Sequence, residues 1–204
     1  MTGPVRPTSS RYDDLLERLV DHVVTDGMSN LSVRTAAAAV GVAHNTVTYH
    51  FGNRASLQRA IFSRLSDRIK AETDAVALQR GAVTDRGKVP ARLRAVWEWV
   101  SREEARSMWA TFFEAFAQAA REPGPYQDFL DHLRSAWMAP LVDELTAAGR
   151  SEADARARAT LVIAAVRGLI IEVLCAGPAG RASADAAFEQ LLELFVTWLP
   201  GRSQ

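Results

Sequence analysis

Cysteine is almost missing from these 204 residues. Cys175 stands alone, so no internal disulfide can form, and a reducing cytosol is the expected setting. Long apolar runs are missing too. The longest, Leu161 to Cys175, is interrupted by Arg167 and Glu172, well short of the roughly 18 uninterrupted apolar residues that a membrane span needs. The opening MTGPVRPTSS has no apolar core and is not expected to act as a signal peptide. Net charge is zero, with 24 Lys and Arg against 24 Asp and Glu. The balance is uneven, however: residues 1–70 hold nine basic and six acidic residues, and the rest hold fifteen and eighteen. That distribution fits nucleic acid at one end only. Strand-like alternation is lacking, and with it any Gly-rich phosphate loop placed after a strand. His22, His44, His50 and His132 lack metal-ligand spacing, and no Glu-x-x-His occurs. Cys175 reads as a small buried hydrophobe. The expectation is a soluble cytoplasmic protein that is not an enzyme, with no metal, no cofactor and no membrane span.

What is present is helical periodicity. Leu15, Leu16, Leu19, Val20, Val23 and Val24 make one apolar stripe over Tyr12 to Asp26. Met1 to Ser10, with two prolines and Arg6, is expected to be a flexible arm; a minor-groove contact is a second reading of it. Asn53 is placed to cap a helix that opens with Arg54, carries Ile61, Phe62, Leu65 and Ile69, and reaches about Gln79. Arg80 to Pro90 reads as a loop. Further helices are expected over 91–100, 103–121 and 126–148, the last bent or split by Pro140. Another follows from the cap Ser151 to Ala176, stopped by Gly177-Pro178, and a final one runs from the cap Ser183 to Leu199. The fold class is therefore all-α, with about nine helices. An N-terminal three-helix helix-turn-helix domain over 1–60 is joined to a C-terminal helical bundle over 61–204.

The segment Leu31 to Arg54, LSVRTAAAAVGVAHNTVTYHFGNR, organises the chain. Ser32 can cap a short Ala-rich helix, Gly41 tolerates the positive φ of a helix ending, and a second short helix begins near Ala43 or His44. Two short helices around a glycine turn are the helix-turn-helix pattern, whose second helix enters the major groove. Val47 and Phe51, four apart, share one face and can anchor that helix. His44, Asn45, Thr48 and Tyr49 project from the other side, where Asn can bond adenine edges and Thr or His can serve bases or phosphates. An ordinary solvated helix face is the competing explanation of the polar residues alone.

Residues from about Arg11 to Leu65 resemble the N-terminal domain of the TetR family of bacterial transcription regulators. The matching pieces are Gly27, Ser32, Ala36-Ala37, Gly41-Val42, His50-Phe51 and Arg54. Two positions depart from the pattern: Ala36 stands where a large aliphatic is usual, and Thr48 stands where Tyr is usual, with Tyr49 displaced by one. The resemblance implies a ligand-responsive regulator, more often a repressor, that binds double-stranded DNA at a palindromic operator. Arg34, His44, Asn45, Thr48 and Tyr49 would face bases; Ser32, Thr46, His50 and Arg54 would serve mainly phosphates.

The second part carries two further signals. Leu161 to Leu174 is apolar on nearly every face, and the last helix adds Phe188, Leu191, Leu192, Phe195, Trp198 and Leu199. Helices of that kind are buried on more than one side, so a homodimer through Leu169, Val173, Phe188, Leu191, Phe195 and Trp198 is expected, with a large monomeric core as the competing explanation. Arg167-Gly168-Leu169 resembles a segment common in the family's eighth helix. Aromatic and Met side chains also concentrate between Trp97 and Met138, which favours an apolar cavity. Trp109, Phe113, Phe116, Trp137, Leu141, Val166, Arg167 and Ile170 are the candidate lining for a small apolar or aromatic effector. Arg167 reads first as the partner of a structural carboxylate and second as a contact for an acidic effector. The alternative function is a helical small-molecule binding or interaction protein whose DNA reader is degenerate.

Overall fold

The computed structural model describes residues 9–28, 31–79 and 89–198, and these contain helices and short turns without a strand. The helices are α1 (Ser9–Asp26), α2 (Val33–Ala39), α3 (His44–Phe51), α4 (Arg54–Gln79), α5 (Val89–Val100), α6 (Arg106–Arg121), α7 (Gln127–Leu133), α8 (Ala139–Ala147), α9 (Glu152–Cys175) and α10 (Gly177–Trp198). One π-helical turn, Arg134–Met138, joins α7 to α8. Counting that continuous run as one helix leaves nine among the described residues, as the periodicity predicts.

Several boundaries differ from the sequence reading for identifiable reasons. Helix α1 already begins at Ser9; the rest of the expected arm lies outside the described residues, as does most of the expected loop after Gln79. Helix α5 starts at Val89, which puts Pro90 in its first turn, where a missing N–H costs nothing. Helix α9 ends at Cys175, ahead of Gly177-Pro178 as expected, but the same rule moves the start of the last helix. Gly177, at φ +62°, makes the turn, and Pro178 then sits in the first turn of α10, so Ser183 lies inside that helix instead of capping it. In the 126–148 run, Pro140 neither ends nor splits the helix. The extra residue of the π turn lies just upstream of it, where the proline ring would otherwise meet the carbonyl four residues back.

The chain divides into two compact units, and the division falls within α4, α6 and α7. The first holds Met1–Asp67 with Ala110–Phe129. It extends beyond the 1–60 segment assigned to the helix-turn-helix domain, and its aromatic packing explains why. Phe62 of α4 lies 5.9 Å from Phe129 and 6.0 Å from Tyr126, and Phe129 also meets Phe112 at 6.2 Å. Leu16, Leu19, Val20 and Val23 of α1 and Leu57, Ile61 and Leu65 of α4 are buried. Arg64 ties α4 to α1 through Asp13 and, at 2.8 Å, Glu17. These two bonds raise the guanidinium pKa against the opposing effect of burial.

The second unit holds Arg68–Trp109 and Leu130–Gln204. Its core includes Val142 and Leu145 of α8, Ala155, Ala159 and Val162 of α9, and Phe195 and Trp198 of α10. Trp97 of α5 stacks on Phe188 of α10 at 4.8 Å, and its indole N–H donates to Asp185 at 2.7 Å. Helices α9 and α10 approach tightly where they turn. A Cβ at Gly180 would stand 2.3 Å from Ala176 Cβ and 2.9 Å from the Glu172 carbonyl oxygen.

Two outcomes test this packing. Gly180→Ala should destabilise the protein by about 1–3 kcal/mol through forced overpacking, read as a lower urea midpoint at unchanged slope. Ser32→Ala removes the cap of α2 and should cost about 0.5–2 kcal/mol; in hydrogen exchange the amides of α2 should lose protection first.

Candidate nucleic-acid interface

Helix α2 is only seven residues long and depends on its ends. Ser32 has the extended backbone of an N-cap, and the Thr35 amide donates to its Oγ at 3.1 Å. In return the Ser32 amide donates to Thr35 Oγ1 at 2.8 Å, so two amides that the helix leaves unpaired are satisfied reciprocally. Ala36 and Ala37 are buried, and their small side chains permit the close approach of α3. At the other end the Val42 amide donates to the Ala37 carbonyl at 3.0 Å, and Arg18 of α1 donates to the Val40 carbonyl. Gly41 holds φ at +65°, a conformation that a residue with a Cβ adopts only at a cost. The turn is thereby fixed from both sides.

Helix α3 follows with Val47 at 0% exposure and Phe51 at 5%. Phe51 packs against Tyr12 with ring centroids 5.0 Å apart, and His50 meets the same ring edge-on at 6.0 Å. Burial in this contact pushes the Tyr12 phenol above its ordinary pKa. The opposite face carries His44, Asn45, Thr48 and Tyr49, all exposed. Tyr49 is 83% exposed, and its ring meets His50 edge-on at 5.1 Å. The Thr48 hydroxyl donates to the His44 carbonyl at 3.1 Å and lies 3.3 Å from His44 Nε2. It is thus held against its own helix and steadies the His44 ring. Beyond α3, Asn53 Oδ1 accepts from the Ser56 amide at 2.9 Å and caps α4 as expected.

The candidate DNA-contacting residues therefore fall into two groups. Arg34, His44, Asn45, Thr48, Tyr49 and Arg54 are exposed, whereas Ser32, Thr46 and His50 are half-buried. The Ser32 hydroxyl is engaged in the capping box, so what it offers outward is the start of α2 more than its own side chain.

The candidate effector residues do not lie in one unit. Phe113 and Phe116 belong to the first, where Phe116 packs on Phe112 at 5.1 Å and Phe129 at 5.9 Å. Trp109, Trp137, Leu141, Val166, Arg167 and Ile170 belong to the second. Trp109 and Ile170 are buried and the others half-buried. Leu141 and Val166 pack on the core of that unit. Burial holds the Arg167 guanidinium below its ordinary pKa. Sequence reasoning passed over Arg92 and Glu144, which form an ion pair at 3.1 Å with side chains only 12% and 14% exposed. The available signal was spacing: Glu144 lies seven residues after Trp137, on the same flank of the helix.

Of the residues expected at a dimer interface, Phe188, Phe195 and Trp198 are buried within the protomer, and Leu169, Val173 and Leu191 are half-buried. The three aromatic residues spend their surface on the protomer's own core, which corrects the expectation that a partner covers them. The exposed apolar face of α9 is instead Ala157, Leu161, Ala164, Gly168, Ile171 and Cys175, spaced alternately by four and three. Nothing lies within 4 Å of a Cβ built at Gly168.

Among the described residues, no helix is long and apolar enough to cross a membrane, and no group of three or more His, Cys, Asp or Glu is arranged to hold a metal ion. No curated protein matches the sequence. Solved structures do. A protein from Rhodococcus sp., described as a TetR-family transcriptional regulator, is 21% identical with a TM-score of 0.70, over 92% of this chain and 100% of its own. A transcriptional regulator from Streptomyces coelicolor A3(2) is 24% identical with a TM-score of 0.67, over 89% and 98%. The multidrug binding protein EbrR, solved with imidazole, is 22% identical with a TM-score of 0.68, over 97% and 94%. These likenesses establish the all-helical fold. The profile of the family described as Tetracyclin repressor-like, C-terminal domain, matches residues 84–194, more than half of the chain, and the protein accordingly belongs to the TetR family of transcriptional regulators.

Proposed function

We propose that this protein is a ligand-responsive repressor that binds a palindromic operator as a homodimer. The observation that carries the reading is α3: a two-turn helix anchored by Val47 and Phe51, with His44, Asn45, Thr48 and Tyr49 turned to solvent. Asn45 and His44 have the donors and acceptors to read base edges in the major groove. Tyr49, Arg34 and Arg54 stand free to reach bases or backbone, and Thr46 and His50 flank them at the helix margin.

One short helix reads few base pairs, so the function calls for two. The exposed stripe on α9 has the 3.5-residue period of a helix that packs along another, and its Ala and Gly positions allow a close approach. Leu161 and Ile171 are the largest side chains of that stripe, exposed at 50% and 44%. A second copy across a two-fold axis would cover these surfaces and set two α3 helices about 34–36 Å apart, one turn of duplex. The effector is a small apolar or aromatic molecule held by Trp109, Trp137, Leu141, Val166, Arg167 and Ile170 of the second unit. EbrR, which shares the fold, was solved with imidazole and with proflavin, which supports a small-molecule role for this chain. An effector that favours a conformer with wrongly spaced α3 helices would shift the population away from the DNA-bound form, with α4 as the lever. A coupling of about 1–3 kcal/mol changes DNA affinity about 5–150-fold.

Fluorescence anisotropy against duplexes from the gene's own upstream region tests the DNA claim. Asn45→Ala should cost about 1–3 kcal/mol on the specific site. Arg54→Ala should weaken all duplexes alike and lower the salt slope by about 1. If no palindrome there is bound in a salt-sensitive way, the DNA reader is degenerate and the chain is a helical small-molecule binding protein. Light scattering tests the assembly: the wild type should be a dimer at micromolar concentration and Ile171→Asp a monomer of unchanged helicity, while a monomeric wild type defeats the two-fold reading.

A further inference from the structure

In the second unit, two buried polar atoms on one flank of the α7–α8 run have no hydrogen-bond partner among the described residues: the indole nitrogen of Trp137 and the Oε1 of Glu144. Buried donors and acceptors in folded proteins are nearly always paired. Two orphans on the same helix flank are therefore a specific feature of this chain. They are of opposite kinds. An indole N–H only donates, and a carboxylate oxygen only accepts. They are seven positions apart, about two helical turns, which puts them on the same flank roughly 10 Å apart along the axis, with half-buried Leu141 between them. Trp137 is carried by the π turn, a local distortion common where helices bind ligands. The other Glu144 oxygen already accepts from Arg92, so the charge of the carboxylate is answered and the buried Oε1 requires only a neutral donor.

We propose that Trp137 and Glu144 are the two polar anchors of the effector site, and that the effector is an elongated, uncharged, largely apolar molecule. It carries a hydrogen-bond acceptor at the end that meets Trp137 and an O–H or N–H donor at the end that meets Glu144. Leu141 lies beneath its apolar middle. This rests on the ligand-responsive reading above and narrows it to a chemical class. It also assigns Arg92 a positioning role: the guanidinium fixes one oxygen of Glu144 and leaves the other aimed for the ligand.

A matched pair of fluorescent probes tests the class. 7-Hydroxycoumarin, with its hydroxyl protonated, has a donor at one end and a lactone acceptor at the other; 7-methoxycoumarin lacks only the donor. Wild type should bind the hydroxy probe about tenfold more tightly than the methoxy probe, the weight of one buried hydrogen bond. Glu144→Gln keeps an oxygen for Arg92 and turns an amide donor outward, so the preference should fall to parity or reverse. Trp137→Phe should weaken both probes by a similar factor, because the lactone is common to them. Circular dichroism of each variant checks that the fold is kept. Failure to bind either probe, equal binding of both by wild type, or an unchanged preference in Glu144→Gln overturns the proposal. Release of operator DNA is read separately. Probe binding with this residue dependence but without release would keep the site and reject the regulator reading; release by ligands indifferent to Glu144 would do the opposite.

Discussion

The anchoring of α3 by Val47 and Phe51 is the contact on which the rest depends. Eight residues are too few for a helix to persist in water by itself, since nucleation is costly and isolated helices below about 12–15 residues are marginal. Burial of the two side chains, worth about 1.5–3 kcal/mol each, supplies what the local sequence lacks. It can do so only because Tyr12 presents a ring to Phe51, the small Ala36 and Ala37 let the helices close up, and Gly41 makes the turn that aims one helix from the other. The polar face is exposed as a consequence: once the apolar face is spent on anchoring, His44, Asn45, Thr48 and Tyr49 have nowhere to go but outward.

The same economy operates at the opposite end of the chain. Helix α9 is apolar nearly all round, yet one protomer covers only part of it. Ala155, Ala159, Val162 and Ile170 face inward, while Leu161 and Ile171 remain 50% and 44% exposed. A stripe of that length, interspersed with Ala and Gly, is an expensive surface to leave in water. At Gly180, helix α10 passes the end of α9 too closely for a Cβ to fit between them. Between these stretches of the chain lies the α7–α8 run, where a π turn, a proline and an ion pair occur within eleven residues.

The local signals were legible because each is a property of a few adjacent residues. Ser32 and Asn53 were recognisable as caps from residue type and position, and both accept the amide bonds expected of them. The Gly41 turn, the limits of α3 and the span Arg54–Gln79 of α4 were readable for the same reason. The start of α10 was not. Gly-Pro is a breaker in most contexts, and here Gly177 makes the break while Pro178 opens the next helix. The π turn was equally hidden: Pro140 announced a disturbance without saying whether the helix would bend, split or absorb it.

Sequence alone determined the helical class, the helix-turn-helix, its inward pair and its outward polar face, since periodicity and turn chemistry are short-range and survive without knowledge of neighbours. Tertiary structure decided which apolar residues were left over. Phe188, Phe195 and Trp198 went into the protomer core and Leu161 and Ile171 stayed outside; residues 110–129 joined the unit that holds α1 to α3; and Glu144 kept one oxygen without a partner among the described residues. Each of those outcomes depends on which distant side chain arrives first at a shared surface, and no pattern within a single helix encodes that.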